Sequence, residues 1–127
     1  MTEVAELRRG DVVLAELPYA SDPAQAKIRP AVIVQNDVGN RFSANVIVAS
    51  ISSQLPTRPY PTDLIICQGT DLHAGTGLER DSVVEADTIM TLSKRSIDRR
   101  IGHFSDGAMR LVDECLRVSL GLTLGGT

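Results

Sequence analysis

Arg29-Pro30-Ala31-Val32-Ile33-Val34-Gln35-Asn36-Asp37 places an arginine and a proline directly before a short apolar run that ends in a turn signal. Proline lacks an N–H and has a fixed φ, so Pro30 predicts the first residue of a strand. The run at 31–34 predicts a buried strand that stops at Asn36-Asp37. Arg29 is then held at the strand's entrance, beside Lys27. A guanidinium is a planar, permanently charged fork that fits a phosphate. Taken alone, Arg29 also fits a surface ion pair, with Asp22 as a partner.

Outward from this stretch the chain reads as short strands followed by one helix. Asp11-Val12-Val13-Leu14-Ala15-Glu16-Leu17 predicts a first strand after Gly10. Residues 18–27 are polar, with Asp22-Pro23 as a turn. Asp37-Val38-Gly39-Asn40 predicts a turn after the second strand. Residues 46–51 are rich in β-branched side chains and predict a third strand. Pro56, Pro59 and Pro61 make 54–61 a loop. A fourth strand is predicted at 62–67, a glycine-rich connection at 69–77, a fifth strand at 82–90 and a short sixth at 100–104. Ala108, Leu111, Val112, Cys115, Leu116, Ser119 and Leu122 recur at helical spacing, with Arg110, Asp113, Glu114 and Arg117 mainly opposite. Ser105 predicts the N-cap and Gly121 the end of that helix.

The chain has 127 residues, enough for one domain, read here as a core from about 8 to 122 with a short tail. It is 43% hydrophobic and 23% charged, the balance of an ordinary globular protein. Residues 1–9 carry Glu3 and Glu6 and no apolar stretch, so no signal peptide is expected and the predicted compartment is the cytoplasm. No run of residues is long and apolar enough for a membrane span. Cys67 and Cys115 match no metal spacing and are expected to be free thiols. A net charge of −3 argues against a surface coated for nucleic acid but leaves room for a local basic groove. With only two Tyr, two Phe and no Trp, base-stacking platforms are scarce.

Several chemistries fall away. The sequence has no GxxxxGK[ST] loop, and Gly75-Thr76-Gly77 is too short for a dinucleotide fingerprint. His73 and His103 lack an HxH or HxxxH partner, so no metal site is predicted and both read as surface or partly buried residues. No GxSxG elbow surrounds a serine. What remains is Arg29, the hydroxyl pair Ser52-Ser53 at the exit of the third strand, and the acids Glu79, Asp81, Glu85 and Asp87.

The chain resembles the MazF/PemK/Kid type of toxin from toxin–antitoxin systems. The resemblance runs from about Arg8 to Leu122. It is carried by Arg9-Gly10-Asp11-Val12, by Ile28-Arg29-Pro30-Ala31-Val32-Ile33-Val34-Gln35-Asn36-Asp37, and by Gly39-Asn40-Arg41-Phe42-Ser43. Ile47-Val48-Ala49-Ser50-Ile51-Ser52, Glu79-Arg80-Asp81-Ser82-Val83-Val84 and the helix ending Val118-Ser119-Leu120-Gly121-Leu122 complete it. Each motif is weak alone; all of them, in order and at these spacings, make a specific signal.

The resemblance implies a mainly β fold, an SH3-like small β-barrel of the PemK/CcdB type with a C-terminal α-helix. It implies a homodimer that cuts single-stranded RNA, usually mRNA, at specific sequences without a metal or other cofactor. The ends left are a 2′,3′-cyclic phosphate and a 5′-hydroxyl. The family's catalytic arginine falls on Arg29 and its hydroxyl residue, a threonine, on Ser52. An acid near the fifth strand, proposed in some relatives, points to Asp87. Gln25, Lys27, Arg41, Ser53, Arg58 and Glu79 are carried over as RNA contacts, with Lys27, Arg29, Arg41 and Arg58 lining one groove in the dimer. A MazE-like antitoxin with an acidic tail is the implied partner. The chain departs from the family at residues 20–28, a longer loop without the usual glycine, so the recognised RNA sequence does not carry over. A second class uses the same barrel: CcdB-type toxins bind DNA gyrase and cut nothing, with the C-terminal helix as the contact surface.

Cleavage through a 2′-hydroxyl needs a proton acceptor, charge relief on the phosphorane oxygens and a proton for the 5′-oxygen. Arg29 suits charge relief; a guanidinium carries donors and no acceptor, so it is a poor base. Ser52 can donate to a non-bridging oxygen. The proton acceptor is the gap, for which Asp87 is the candidate.

Overall fold

The structure is a computed structural model that describes residues 6–18 and 27–123. Six strands are present among the described residues: β1 Asp11–Leu17, β2 Lys27–Ile33, β3 Asn45–Ser52, β4 Asp63–Ile66, β5 Ser82–Ser93 and β6 Ile97–His103. Two α-helices accompany them, α1 Asp37–Phe42 and α2 Asp106–Ser119, and a 3-10 turn at Lys94–Ser96 joins β5 to β6. The strands form one antiparallel sheet in the order β4-β5-β3-β2-β1-β6. The expected mainly β fold with a C-terminal helix is present, but the sheet does not close, and β4 and β6 remain its edges. Irregularities bend it instead: between Ala49 and Ser50 the β5 register jumps from Ile89 to Glu85, and β1–β6 shifts twice.

Strand alternation sorts the core onto two faces. On one face Val12, Val32, Ala49, Ile51, Val84 and Phe104 pack against Ala108, Met109, Val112, Cys115 and Leu116 of α2. On the other, Val13, Ala15, Leu17, Ala31, Ile33, Val46 and Val48 gather with Leu92 and Ile97. Helix α2 begins where Ser105 Oγ accepts from the Ala108 N–H at 3.1 Å. It ends in a left-handed Gly121 (φ 67), with Leu122 N–H on the Arg117 carbonyl and Gly121 N–H on that of Val118. The predicted apolar stripe needs a correction. Met109 is inside, while Leu111 and Leu122 are exposed, because the helix turns its 108/112/115/116 ridge to the sheet.

Three other expectations change. Residues 37–40 begin a helix rather than a turn, because Asn36 Oδ1 caps the Gly39 N–H at 2.8 Å and Asn40 is drawn into the interior. Pro30 lies inside β2, opposite Leu14 of β1. It is tolerated there because pairing with β3 starts only at Ala31, leaving residues 27–30 with an unpaired side. Strand five extends to Ser93 and strand six starts at Ile97, both longer than predicted. Residues 19–26, with the predicted Asp22-Pro23 turn, lie outside the described residues.

Candidate active site

The late start of β2–β3 pairing opens the sheet at one end. Paired positions are Ala31↔Ser50, Val32↔Ala49 and Ile33↔Val48. Continued past Ala31, this register sets Arg29 opposite Ser52, with the two strand ends parted. Alternation puts both on the face away from α2, because Ala31 and Ile33 belong to the core on that face. The next strand adds to the same face: Ser50 pairs with Glu85, Ser52 with Val83, and Asp63 of β4 pairs with Glu85 from the far side. Arg29, Ser50, Ser52, Glu85 and Asp63 therefore share one end of one face. Arg29 and Ser52 are half-buried. Ser52 Oγ also accepts the Gln54 N–H at 3.0 Å, which fixes the hydroxyl at the strand exit.

Glu85 is the group that sequence reasoning left unassigned. Burial pushes its carboxyl above the usual range, and the carboxylates of Asp87 and Asp63 add to that. A hydrogen bond from the Ser50 hydroxyl and the positive charge of Arg29 work the other way. Its only sequence signal is an acid interrupting the apolar run Val83-Val84-Glu85-Ala86. Asp87 sits in the bulge where residues 86–88 have no partner on β3, and its side chain is exposed.

The remaining carried-over positions scatter. Lys27 is on the Arg29 face, two residues before it. Ser53 and Glu79 meet on the opposite face, in a cleft of about 390 Å³ that Pro30, Arg80 and Arg99 also line. Arg58 is exposed on the loop after β3. Arg41 is not brought to this end: it lies on α1, before β3, whose 8 residues at about 3.3 Å each separate it from Ser52. Its guanidinium stacks 5.5 Å from the Phe42 ring centroid instead. Gln25 is outside the described residues.

His103 Nδ1 lies 2.7 Å from Asp11 Oδ1, at the opposite end of β1 from Ala15, which pairs with Arg29. His73 Nε2 faces the Arg80 carbonyl at 3.3 Å. Cys115 is buried, Cys67 half-buried, and both are free. Among the described residues no group of three or more His, Cys, Asp and Glu could hold a metal ion. No helix among them is long and apolar enough to cross a membrane.

A family model described as PemK-like, MazF-like toxin of type II toxin-antitoxin system matches residues 8–120. This chain belongs to that family. Over 116 residues it is 39% identical to Endoribonuclease EndoA of Bacillus subtilis (strain 168), spanning 91% of this chain and 96% of that protein. A mycobacterial endoribonuclease solved in complex with its cognate antitoxin matches with a TM-score of 0.73 at 25% identity, over 93% of this chain and 98% of that one. The Mycobacterium tuberculosis toxin MazF-mt6 shares the fold, with a TM-score of 0.72 at 23% identity over 90% and 99% of the two chains.

Most motifs that mark this PemK/MazF chain turn out to build its scaffold. The Arg9 backbone N–H donates to Asp37 Oδ1 at 2.7 Å, its Nε to the Val34 carbonyl at 2.8 Å, and its guanidinium reaches Asp113 of α2 at 2.7 Å. Asp11, 2% exposed, accepts the Arg8 N–H at 2.8 Å besides contacting His103. Gln35 Nε2 donates to Asn40 Oδ1 at 3.1 Å and the Asn45 carbonyl at 2.9 Å, and Asn40 Nδ2 returns to the Gln35 carbonyl at 2.9 Å. Asp81 and the Glu79 carbonyl accept from Gln68, tying the strand-five entrance to the end of β4.

Proposed function

We propose that this chain is the toxin of a type II toxin–antitoxin pair and a sequence-specific endoribonuclease acting on single-stranded RNA. The observation that supports the reading is the end of β2–β3 pairing at Ala31↔Ser50, beyond which Arg29 and Ser52 stand on neighbouring strand ends. Their positions match the two residues that the family resemblance assigns to catalysis, within a chain 39% identical to an endoribonuclease. Arg29 neutralises charge as the phosphorane forms, and Ser52 donates to a non-bridging oxygen; both act on the transition state more than on bound RNA. The product ends are a 2′,3′-cyclic phosphate and a 5′-hydroxyl, reached without a metal. The chain works as one domain and as a homodimer in the cytoplasm. A MazE-like antitoxin neutralises it, in keeping with the antitoxin complex of its mycobacterial relative. Lys27 and Arg58 contact RNA near the cut, and Ser53 and Glu79 do so in their cleft.

Membership of the PemK/MazF family leaves the gyrase-binding alternative without support. The test is incubation with a long RNA in EDTA, followed by primer extension and mass analysis of the ends. Cuts at a recurring short sequence with cyclic phosphate ends are expected. Intact RNA, or cleavage that returns only with magnesium, overturns the reading.

A further inference from the structure

Charge relief and a hydroxyl donor leave the attacking 2′-hydroxyl without a proton acceptor. We propose that Glu85 is that acceptor, an inference that rests on the ribonuclease reading above. Glu85 occupies the β5 position opposite Ser50, on the face and at the end of the sheet that carry Arg29 and Ser52. Its partner across the ladder is Ser50, whose hydroxyl bonds to it, and the charge of Arg29 also acts on it. A phosphate lying between Arg29 and Ser52 would then have its ribose on the face that carries Glu85, one strand away.

Other groups fit the role less well. The guanidinium of Arg29 offers donors and no acceptor. Asp87 is exposed on the bulge, outside the ladder that orders Glu85. His103 is committed to Asp11 near the far end of β1, and His73 faces a carbonyl in the connection before β5. Half-burial beside Asp63 and Asp87 also raises the affinity of Glu85 for a proton, which makes a carboxylate a better base near neutrality. The charges acting on it are Arg29 from β2, Asp63 from β4 and Asp87 from its own strand, with the Ser50 hydroxyl from β3.

The step balances as an internal transfer. Glu85 takes the 2′-hydroxyl proton, and the 2′-oxygen uses that electron pair to form a bond to phosphorus. The bond from phosphorus to the 5′-oxygen breaks, its electron pair leaves on that oxygen, and water supplies the proton. Glu85 then releases its proton to solvent. Arg29 and Ser52 stabilise the phosphorane between these events.

The experiment uses the full chain and an RNA containing its mapped cut site, under single-turnover conditions. E85Q is expected to slow cleavage by about 10²–10³-fold at neutral pH, within the range of a lost general base. Affinity for the same RNA carrying a 2′-O-methyl group at the cut is expected to be unchanged. The parent's rate rises with pH along an acidic limb that E85Q lacks. E85D, which keeps the acid but withdraws it, recovers part of the rate, and D87N, which removes one charge acting on Glu85, loses less than E85Q. Thermal melting verifies that each variant is folded. If E85Q cuts at the parent rate, keeps the acidic limb or loses RNA binding in step with cleavage, Glu85 is not the acceptor although the ribonuclease reading stands. A D87N that is dead beside an active E85Q moves the role to Asp87. A parent that cuts no RNA overturns both readings.

Discussion

The two ends of the sheet are built on opposite plans. Where β2 runs into α1, polar side chains form a closed set: Gln35, Asn40, Asp37 and Arg9 satisfy one another and the backbone around them. Where β2 begins and β3 ends, pairing stops short, β5 bulges, and an arginine, two serines and two acids face a parted pair of strands. The first end fixes the fold; the second holds charge where it can meet a ligand. Most residues that make the family recognisable belong to the first. The proposed chemistry rests on a few at the second, and Glu85 there is read from position rather than motif.

If the ends are separable, substitutions at one should leave the other's property alone. Arg29→Ala should show this most strongly. It is expected to lower cleavage by about 10³-fold, roughly 4 kcal/mol of transition-state stabilisation, with thermal stability nearly unchanged. Arg29→Lys should recover little, because an ammonium is a point charge without the planar fork. A parent-like rate for Arg29→Ala in single-turnover assays would remove the open end from the mechanism.

Ser52 comes next. Ser52→Ala deletes one donor and should cost about 10²-fold in rate, or ~3 kcal/mol. Ser52→Thr, the residue implied for the family, should hold the parent rate, because the hydroxyl stays at a half-buried strand end. Equal losses for both would show that shape, rather than the hydroxyl, is what the site requires.

Asn40→Ala tests the closed end. It strands the Gln35 carbonyl and one Gln35 amide proton in a buried setting, at a cost of about 2 kcal/mol and several degrees of Tm. Cleavage per folded molecule should not change. A fall in rate without a fall in Tm would mean that the two ends communicate.

The same contrast explains what the sequence discloses. The bounds of β1 were legible because a glycine starts it and a proline follows it. The ends of α2 were legible because Ser105 and Gly121 are local signals. Helix α1 was not, since its Asn-Asp-Val-Gly-Asn composition reads as a turn, and the Asn36 cap together with the burial of Asn40 against Gln35 decides otherwise. Pro30 inside a strand and the bulge in β5 depend on where neighbouring ladders stop, which local residues do not specify. Arg29 and Ser52 were named from the family pattern, and the structure sets one on β2 and the other at the end of β3. Arg41 was assigned to a groove of the dimer, and within the protomer it stands on α1, the length of β3 away from Ser52. Glu85 stayed unassigned because its meaning comes from Ser50 and Asp63, each on a different strand.

The smallest effect is also the most direct contrast between the ends, because a carboxyl at each shifts in the opposite sense. Asp37 is held below the usual carboxylate range, first by the Arg9 backbone N–H and then by Asn40. Its stabilisation is present above the unfolded-state pKa and is lost as pH falls through the folded one. Glu85 is raised, first by burial, so its contribution is full below the unfolded pKa and is lost as pH rises through the folded one. Tm measured from acid to neutral pH should therefore respond in opposite directions. Asp37→Asn should lower Tm near neutrality and leave it unchanged in acid. Glu85→Gln should raise Tm near neutrality relative to acid, by relieving a half-buried charge. Both carboxylates keep much of their contact with solvent, so each effect should stay below about 1 kcal/mol. The two curves should diverge on either side of the parent as pH rises. Curves that move together would mean that the carboxyls share one environment, and the division between a closed scaffold end and an open chemical end would fail.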